Sequence, residues 1–353
     1  MSTRFLVNQF NSWRESGIEM ALATVIHTEG STYSKAGRQI LVRADGQHAG
    51  LVSGGCLEGD LAEHARSVIE SGLPQRVTYD MRDAADDLWG IGLGCNGLMQ
   101  ILLQPLSSAN NWEPFAAIAA LLTRRTQGTA ALVTQSDVNS LQAGSLYIAC
   151  DGQDWSGEGP APARLPPAQE LQAALPTELS LDHEGGQCAL LVWPLRPWPR
   201  LLVLGAGPDA LPVVNIARAL GWEITVADHR PDYFTARDFR AADAIAVVHP
   251  DKLAQDIQLA EYSTVIVMSH HFETDRAYLG QLSAFEHRYA GVLGPAARKA
   301  RLLDELGLGA TDFGQRLRGP VGLDIGADNP ESIALAILSE IQSVLAASNQ
   351  LSK

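Results

Sequence analysis

The chain has few cysteines, and none of them is spaced as a metal-binding or redox pair. Its 353 residues include four, Cys56, Cys95, Cys150 and Cys188, without a Cys-x-x-Cys spacing. So few dispersed thiols exclude a disulfide-rich secreted scaffold and give no support to a structural zinc site. Each thiol must therefore be judged by its neighbours. Cys150 and Cys188 adjoin predicted strands, and we expect them to be small buried residues.

Positive charge is also scarce: 26 Lys and Arg stand against 40 Asp and Glu, for a formal net charge of -14. Such a surface repels phosphate backbones, so we expect no nucleic acid partner. No apolar run approaches the roughly 18 residues that span a bilayer; Phe115–Leu122 is among the longest. Met1–Trp13 lacks the charged and apolar regions of a signal peptide. We therefore expect a cytoplasmic protein without a membrane segment.

Length and patterning divide the chain into three parts, because 353 residues exceed one ordinary core. Residues 1–106 are predicted to form an α+β domain, with a hairpin at Asp45-Gly46 and a helix at Leu57–Ser71. Residues 107–198 form a middle segment. It ends in Trp193–Pro199, whose three prolines are typical of a domain linker.

Residues 199–353 alternate strands with helices, a pattern typical of a parallel sheet covered on both faces. The predicted strands are Leu201–Leu204, Glu223–Ala227, Ala244–Val248, Thr264–Met268 and Ala290–Leu293. We therefore expect an α/β protein, with a C-terminal Rossmann-type parallel sheet and an N-terminal α+β domain.

A dinucleotide fingerprint opens this last part, directly after its first strand. Gly205 permits a tight turn, Gly207 leaves room for a pyrophosphate, and Ala210 allows close helix packing. Asp228 ends the next strand, where an acid binds ribose hydroxyls, whereas the nearby Arg230 suits the 2′-phosphate of NADP. NAD(P) is one alternative ligand, because many proteins keep this fold for other ligands.

Two polar residues near the fingerprint each allow more than one interpretation. Asp209 begins the helix, where it either caps the helix or faces an incoming pyrophosphate. His270 follows a predicted strand and so lies at the crevice of an open α/β sheet. It either hydrogen-bonds a cofactor, moves a proton, or is a structural histidine.

The segment from Ser53 to Asp60 joins a predicted strand to a helix. Gly54 and Gly55 allow backbone N–H groups to converge on an anion, and Cys56 lies near a helix start that stabilises a thiolate. Glu58 opposes that effect but offers a proton acceptor. The alternative is a tight turn holding a small buried cysteine.

Two further segments are bounded by glycines. Gly90–Gly97 contains Gly94 and Cys95 and is either a ligand-lining loop or a turn into the next strand. Gly30–Arg38 is either a phosphate-binding loop or a solvated connection. Its candidate phosphate ligands are Ser31, Thr32, Lys35 and Arg38.

Together these segments resemble the XdhC/CoxI family, accessory factors for molybdenum hydroxylases such as xanthine dehydrogenase. The resemblance is carried by Thr28–Tyr33, Ser53–Asp60, Trp89–Cys95, Gly205–Gly207, Val226–Arg230, Met268–His270, Gly291–Gly294 and Gly322–Ala327. Residues 107–198 carry little of it. Pro208 stands where many members have a histidine, so no histidine role is carried over to that position.

The resemblance implies a cofactor chaperone rather than a stand-alone enzyme. Such a protein binds molybdenum cofactor (molybdopterin), helps replace an oxo ligand by sulfur, and delivers the cofactor to the apo-hydroxylase, with a cysteine desulfurase as a further partner. Cys56 and Cys95 are the implied reactive thiols, because soft thiolates suit molybdenum or sulfur in transit. The implied cofactor-binding residues are Ser53, Gly54, Gly55, Glu58, Gly94, Gly205, Gly207, Ala210, Asp228 and His270.

Two other functions remain open at this point. An NAD(P)-dependent oxidoreductase would need a catalytic set after the Rossmann strands, and the sequence shows no convincing one. A non-catalytic subunit of the hydroxylase complex would not need the two glycine–cysteine segments. The sequence does not determine the oligomeric state, for which a homodimer is the default expectation because it is the commonest assembly.

Overall fold

The computed structural model describes residues 2–55, 57–82, 96–138, 141–150, 155–157, 176–183 and 186–350, with 348–350 described by backbone alone. It divides into two compact units, Met1–Pro197 and Trp198–Ser352. The first unit contains two separate five-stranded sheets and the second contains one. We propose that the chain comprises an N-terminal domain, 1–106, a middle segment with its proline-rich linker, 107–198, and a C-terminal domain, 199–353.

The first sheet, sheet A, is antiparallel, with the strand order β3-β2-β1-β5-β4. Its strands are β1 (Met20–Gly30), β2 (Gln39–Arg43), β3 (His48–Ala49), β4 (Gln75–Asp80) and β5 (Gly97–Leu106), accompanied by α1 (Thr3–Glu15) and α2 (Glu58–Ser71). Alternate β1 residues, among them Ala23 and Val25, share a core with Leu61 and Ala65 of α2. The helix α2 therefore covers one face of sheet A and fixes where its first residue, Glu58, lies.

Sheet B is also antiparallel, with the order β8-β7-β6-β10-β9. Its strands are β6 (Gly128–Ser136), β7 (Leu146–Cys150), β8 (Ser156–Gly157), β9 (Thr177–His183) and β10 (Gly186–Leu195), preceded by α3 (Phe115–Thr123).

The predicted linker Trp193–Pro199 is wrong in its first half, because β10 continues to Leu195. Pro194 lies opposite Thr129 of β6, whereas pairing with β9 ends at Val192. A proline lacks an N–H donor, but among the described strands β10 is paired on one side only at this point, so the missing donor is tolerated.

Sheet C, in the second unit, is parallel throughout, with the order β13-β12-β11-β14-β15. Its strands are β11 (Arg200–Leu204), β12 (Glu223–Asp228), β13 (Ala244–Val247), β14 (Thr264–Val267) and β15 (Tyr289–Val292). The helices are α4 (Ala210–Ala219), α5 (Pro231–Thr235), α6 (Leu253–Asp256), α7 (Phe272–Leu282), α8 (Ala296–Leu306), α9 (Asp312–Arg316) and α10 (Pro330–Gln350).

Both faces of the central strand β11 are buried, which explains its unbroken apolar run, whereas the edge strand β13 is largely exposed. Leu201 and Val203 belong to the core formed with α4 and α10, whereas Leu202 and Leu204 belong to the core formed with α7 and α8. The predicted fold class, a Rossmann-type parallel sheet with antiparallel structure before it, is confirmed.

The long helix α10 is apolar. Its residues Pro330–Ala347 have a mean hydropathy of 1.2, and by length and composition alone this segment could cross a bilayer. In the structure Ile337 and Ile341 pack into the core of the second unit. Glu340 accepts hydrogen bonds from the Tyr289 hydroxyl at 2.6 Å and the Gly322 N–H at 2.9 Å. The apolar face of α10 is therefore used in packing against sheet C.

Candidate functional site

Topology brings the glycine-bounded loops of the first unit to one end of sheet A. The β1–β2 connection, 31–38, lies there, and β3 runs in the same direction as β1, so the β3–α2 connection, 50–57, lies there too. The register places Gly30 opposite Gly97. Since β4 ends and β5 begins at this end, the described residues on either side of 83–95 also lie there.

The side chain of Glu58 organises the β3–α2 loop. It is 5% exposed and accepts hydrogen bonds from the N–H groups of Val52 (2.9 Å), Ser53 (3.0 Å) and Gly55 (2.9 Å). It also accepts one from the Ser53 hydroxyl at 2.6 Å. Glycines thus let N–H groups converge on an anion, but the anion is a carboxylate of the chain itself. A cofactor phosphate would reach these donors only by displacing Glu58.

The Glu58 carboxylate is held in its ionised form. Burial, the largest single effect, raises its pKa, but hydrogen bonds from the Ser53 side chain and from the N–H groups of Ser53 and Val52 outweigh it, so the pKa lies below its ordinary value. A group with a lowered folded-state pKa stabilises the protein above its unfolded-state pKa, and this stabilisation is lost as the pH falls through the folded-state value.

This gives a pH-dependent prediction for the variant Glu58→Gln. We expect it to be less stable than the wild type near neutral pH, with a difference that shrinks as the pH falls from about 4.5, the ordinary value for a glutamate, through the lower folded-state pKa of Glu58. Thermal unfolding across that range measures it. Glu63→Gln, an exposed position on the same helix, is the control. A difference that stays constant with pH would contradict the prediction.

The polar loop 31–38 is fastened to the β3–α2 loop. The Ser34 hydroxyl and the Arg38 Nε both donate to the carbonyl of Leu51, at 3.5 and 3.4 Å. The Tyr33 ring lies beside Gly54, where a Cβ would sit 3.4 Å from the nearest ring carbon. Tyr33 is 59% exposed. An exposed aromatic ring therefore lies against Gly54, a contact that the sequence did not reveal.

The two candidate reactive cysteines, Cys56 and Cys95, lie outside the described residues, as does Gly94. Their roles stay predictions, and so does the assignment of the described loop residues to cofactor binding. Of the other cysteines, Cys188 is buried as expected, whereas Cys150 at the end of β7 is only half-buried.

In the second unit, the fingerprint residues bring β11 and α4 close to β14. Gly205 has φ +130°, and a Cβ there would lie 2.6 Å from the carbonyl carbon of Met268. Ala210 is completely buried. A Cβ on Gly207 would lie 2.5 Å from Oδ1 of Asp209. The space expected to hold a pyrophosphate is therefore lined by a carboxylate.

Asp228 is completely buried and fully occupied by its own chain. Oδ2 accepts from the Ala206 N–H (2.7 Å) and from Nη2 of Arg230 (2.8 Å). Oδ1 accepts from the N–H and Nε of Arg230, both at 2.9 Å. A carboxylate has about four acceptor sites, so a ribose would have to displace Arg230. Burial raises the pKa of Asp228, but Arg230 and the Ala206 N–H outweigh it and lower the pKa overall.

His270 lies at the end of β14 and contacts Asp209 at the start of α4, with 2.7 Å between Nε2 and Oδ2. Within the described residues the Asp209 side chain makes no capping hydrogen bond to α4, so the capping interpretation is wrong. Because β11 and β14 are neighbours at the point where the strand order reverses, the pair stands at the ligand crevice of this fold.

Comparison with known proteins covers nearly the whole chain. Residues 201–341 match the XdhC Rossmann domain, and residues 13–80 match the XdhC and CoxI family. A probable xanthine dehydrogenase subunit from Bacillus subtilis is 30% identical over 323 residues, which are 92% of either chain. The molybdenum cofactor insertion chaperone PaoD from Escherichia coli is 24% identical over 332 residues, 93% of this chain and 84% of PaoD.

A solved structure shows the same relationship. A Bacillus halodurans protein described as a xanthine dehydrogenase superposes with a TM-score of 0.78 at 29% identity, covering 98% of this chain and 97% of its own. Full-length similarity at this identity, together with both domain matches, confirms the resemblance in the sequence: the chain belongs to the XdhC and CoxI family.

Proposed function

We propose that this protein is an accessory factor that binds molybdenum cofactor, assists its sulfuration and delivers it to a molybdenum hydroxylase of the xanthine dehydrogenase type. The observation that carries the proposal is the loop around Cys56. Glu58 holds this loop in one shape, while Gly54 and Gly55 on its surface are exposed. An ordered turn with exposed glycines directly before Cys56 in the chain is what a carrier needs if that cysteine is to meet a cofactor.

The residues near this loop fit the parts of the cofactor one by one. The Cys56 thiolate is a soft ligand, suited to molybdenum or to a sulfur atom in transit. The exposed ring of Tyr33 offers a flat apolar face to a pterin. The exposed Lys35, whose Nζ donates to Thr32 at 3.4 Å, replaces the occupied N–H groups as the proposed phosphate contact. When bound, the cofactor supplies the metal and its exchangeable ligand; the chain supplies the binding and the thiolate.

The proposal is tested by anaerobic titration of the purified protein with molybdenum cofactor. We expect the wild type to bind about one equivalent, and Cys56→Ala to lose most of this binding. Cys150→Ala, which removes a half-buried thiol of β7, is the matched control and should bind as the wild type does. No binding by the wild type would refute the carrier function, and equal binding by Cys56→Ala would remove Cys56 from it.

The partners follow from the same proposal. They are the apo-hydroxylase as recipient and a cysteine desulfurase as sulfur donor, with the protein acting in the cytoplasm as a homodimer by default. A dehydrogenase function gains no support, because Asp228 and Arg230 bind each other where NAD(P) would need them.

A further inference from the structure

Asp209 and His270 form a pair between the start of α4 and the loop that follows β14. His270 has φ +62°, a backbone conformation that is uncommon outside glycine. This conformation directs its Nε2 to the Asp209 carboxylate. The histidine ring is 58% exposed, whereas the Asp209 side chain is 14% exposed. A mostly buried carboxylate thus holds an accessible imidazole at the mouth of the crevice.

Asp209 is also incompletely satisfied. Its Oδ1 is buried without a hydrogen-bond partner among the described residues. The side chain neither caps α4 nor pairs with a cation other than His270 in that part of the chain. Buried acceptors in folded proteins are nearly always paired, so this exception calls for a functional explanation.

The chemistry of the crevice excludes one ligand class and favours another. A phosphate would meet the Asp209 carboxylate at the helix start, and Pro208 supplies no N–H there. By contrast, with Nε2–H donated to Asp209, the Nδ1 of His270 is an acceptor that no other described residue occupies. This is the geometry of a general base whose ring is oriented by a carboxylate.

We propose that Asp209 and His270 form a proton-accepting pair, which takes a ligand into the crevice of sheet C through a neutral O–H, S–H or N–H group rather than through a phosphate. The proton of that group passes to Nδ1 of His270, and Asp209 stabilises the resulting imidazolium. Asp209 is the positioning residue and His270 the proton acceptor.

The charged groups next to the pair are themselves neutralised. Ser269, the neighbour of His270, accepts at its carbonyl from Arg230, which is paired with Asp228. The Ser269 hydroxyl donates to Asp275, which is paired with Arg298. His271 accepts from the Thr274 N–H at the start of α7. These contacts leave His270 as the open imidazole at the end of β14.

The pair is tested on the full chain with diethyl pyrocarbonate, which acylates unprotonated imidazole nitrogens, followed by peptide mass spectrometry near pH 7.5. We expect His270 to react several-fold faster than the exposed His48 and His249, and Asp209→Asn to reduce its rate to theirs. The rates of His48 and His249 should not change, and the buried His287 should stay unreactive, which shows that the variant is folded. An unchanged His270 rate in Asp209→Asn would overturn the pairing.

The role of the pair rests on the proposed function and needs a maturation assay. We expect His270→Gln and Asp209→Asn to slow activation of the apo-hydroxylase at least tenfold and to flatten its pH profile, whereas His249→Gln behaves as the wild type. Wild-type rates and profiles in both variants would overturn the role. If the wild type itself neither binds the cofactor nor matures the hydroxylase, the proposed function is refuted. The acylation rates still show whether Asp209 and His270 act as a pair.

Discussion

Glu58→Ala is expected to lower the free energy of unfolding by about 3 kcal/mol, because it leaves three backbone N–H groups and the Ser53 hydroxyl without their shared acceptor. The loop around Cys56 loses its shape at the same time. We therefore also expect cofactor binding to fall at least tenfold. Urea unfolding and anaerobic titration with molybdenum cofactor measure the two effects.

Two variants sharpen this test. Glu63→Ala removes an exposed carboxylate from the same helix, where it pairs only with Arg66 among the described residues, and should cost no more than about 0.5 kcal/mol. Glu58→Asp keeps the charge but shortens the reach to the loop, so we expect an intermediate loss. If Glu58→Ala unfolds as readily as Glu63→Ala does, then Glu58 does not organise the loop.

Asp228→Ala is expected to destabilise the second unit by about 3 kcal/mol or more. It leaves the partly buried Arg230 guanidinium and the Ala206 N–H without their hydrogen-bond acceptor. A residue reserved for ribose would behave differently. Its removal would cost little stability, and the variant would lose an NAD(P) affinity that the wild type has. Thermal unfolding combined with NAD⁺ and NADP⁺ titration of both proteins separates these outcomes.

The control for this variant is Asp251→Ala. Asp251 lies beyond the end of β13, and its side chain is 77% exposed. We expect the Asp251→Ala variant to unfold at the same temperature as the wild type. Micromolar NAD⁺ binding by the wild type that disappears in an equally stable Asp228→Ala would contradict the structural role of Asp228.

The fold of the second unit could be predicted because its signals are local. Each strand of sheet C is a short apolar run, and the glycine fingerprint follows the first of them directly. The use of Asp228 could not be predicted in the same way. Sequence shows that an acid ends β12, but not that Arg230, two residues on, turns back to fill its acceptor sites.

The same limit applies to the candidate sites. The sequence singled out three loops of the first unit, and antiparallel pairing brings the described residues that form or flank them to one end of sheet A. It did not show that Glu58 occupies the N–H groups intended for a phosphate. Asp209 and His270 were each noticed, but their contact spans 61 positions and depends on β11 and β14 being neighbours.

The most direct test of the carrier function is transfer. Protein loaded with one equivalent of molybdenum cofactor is mixed anaerobically with the apo-hydroxylase, and hydroxylase activity is followed against free cofactor at the same concentration. We predict faster activation from the loaded protein, with a yield that matches the cofactor supplied. Activation no faster than with free cofactor, or none at all, would contradict the proposal that this chain delivers the cofactor.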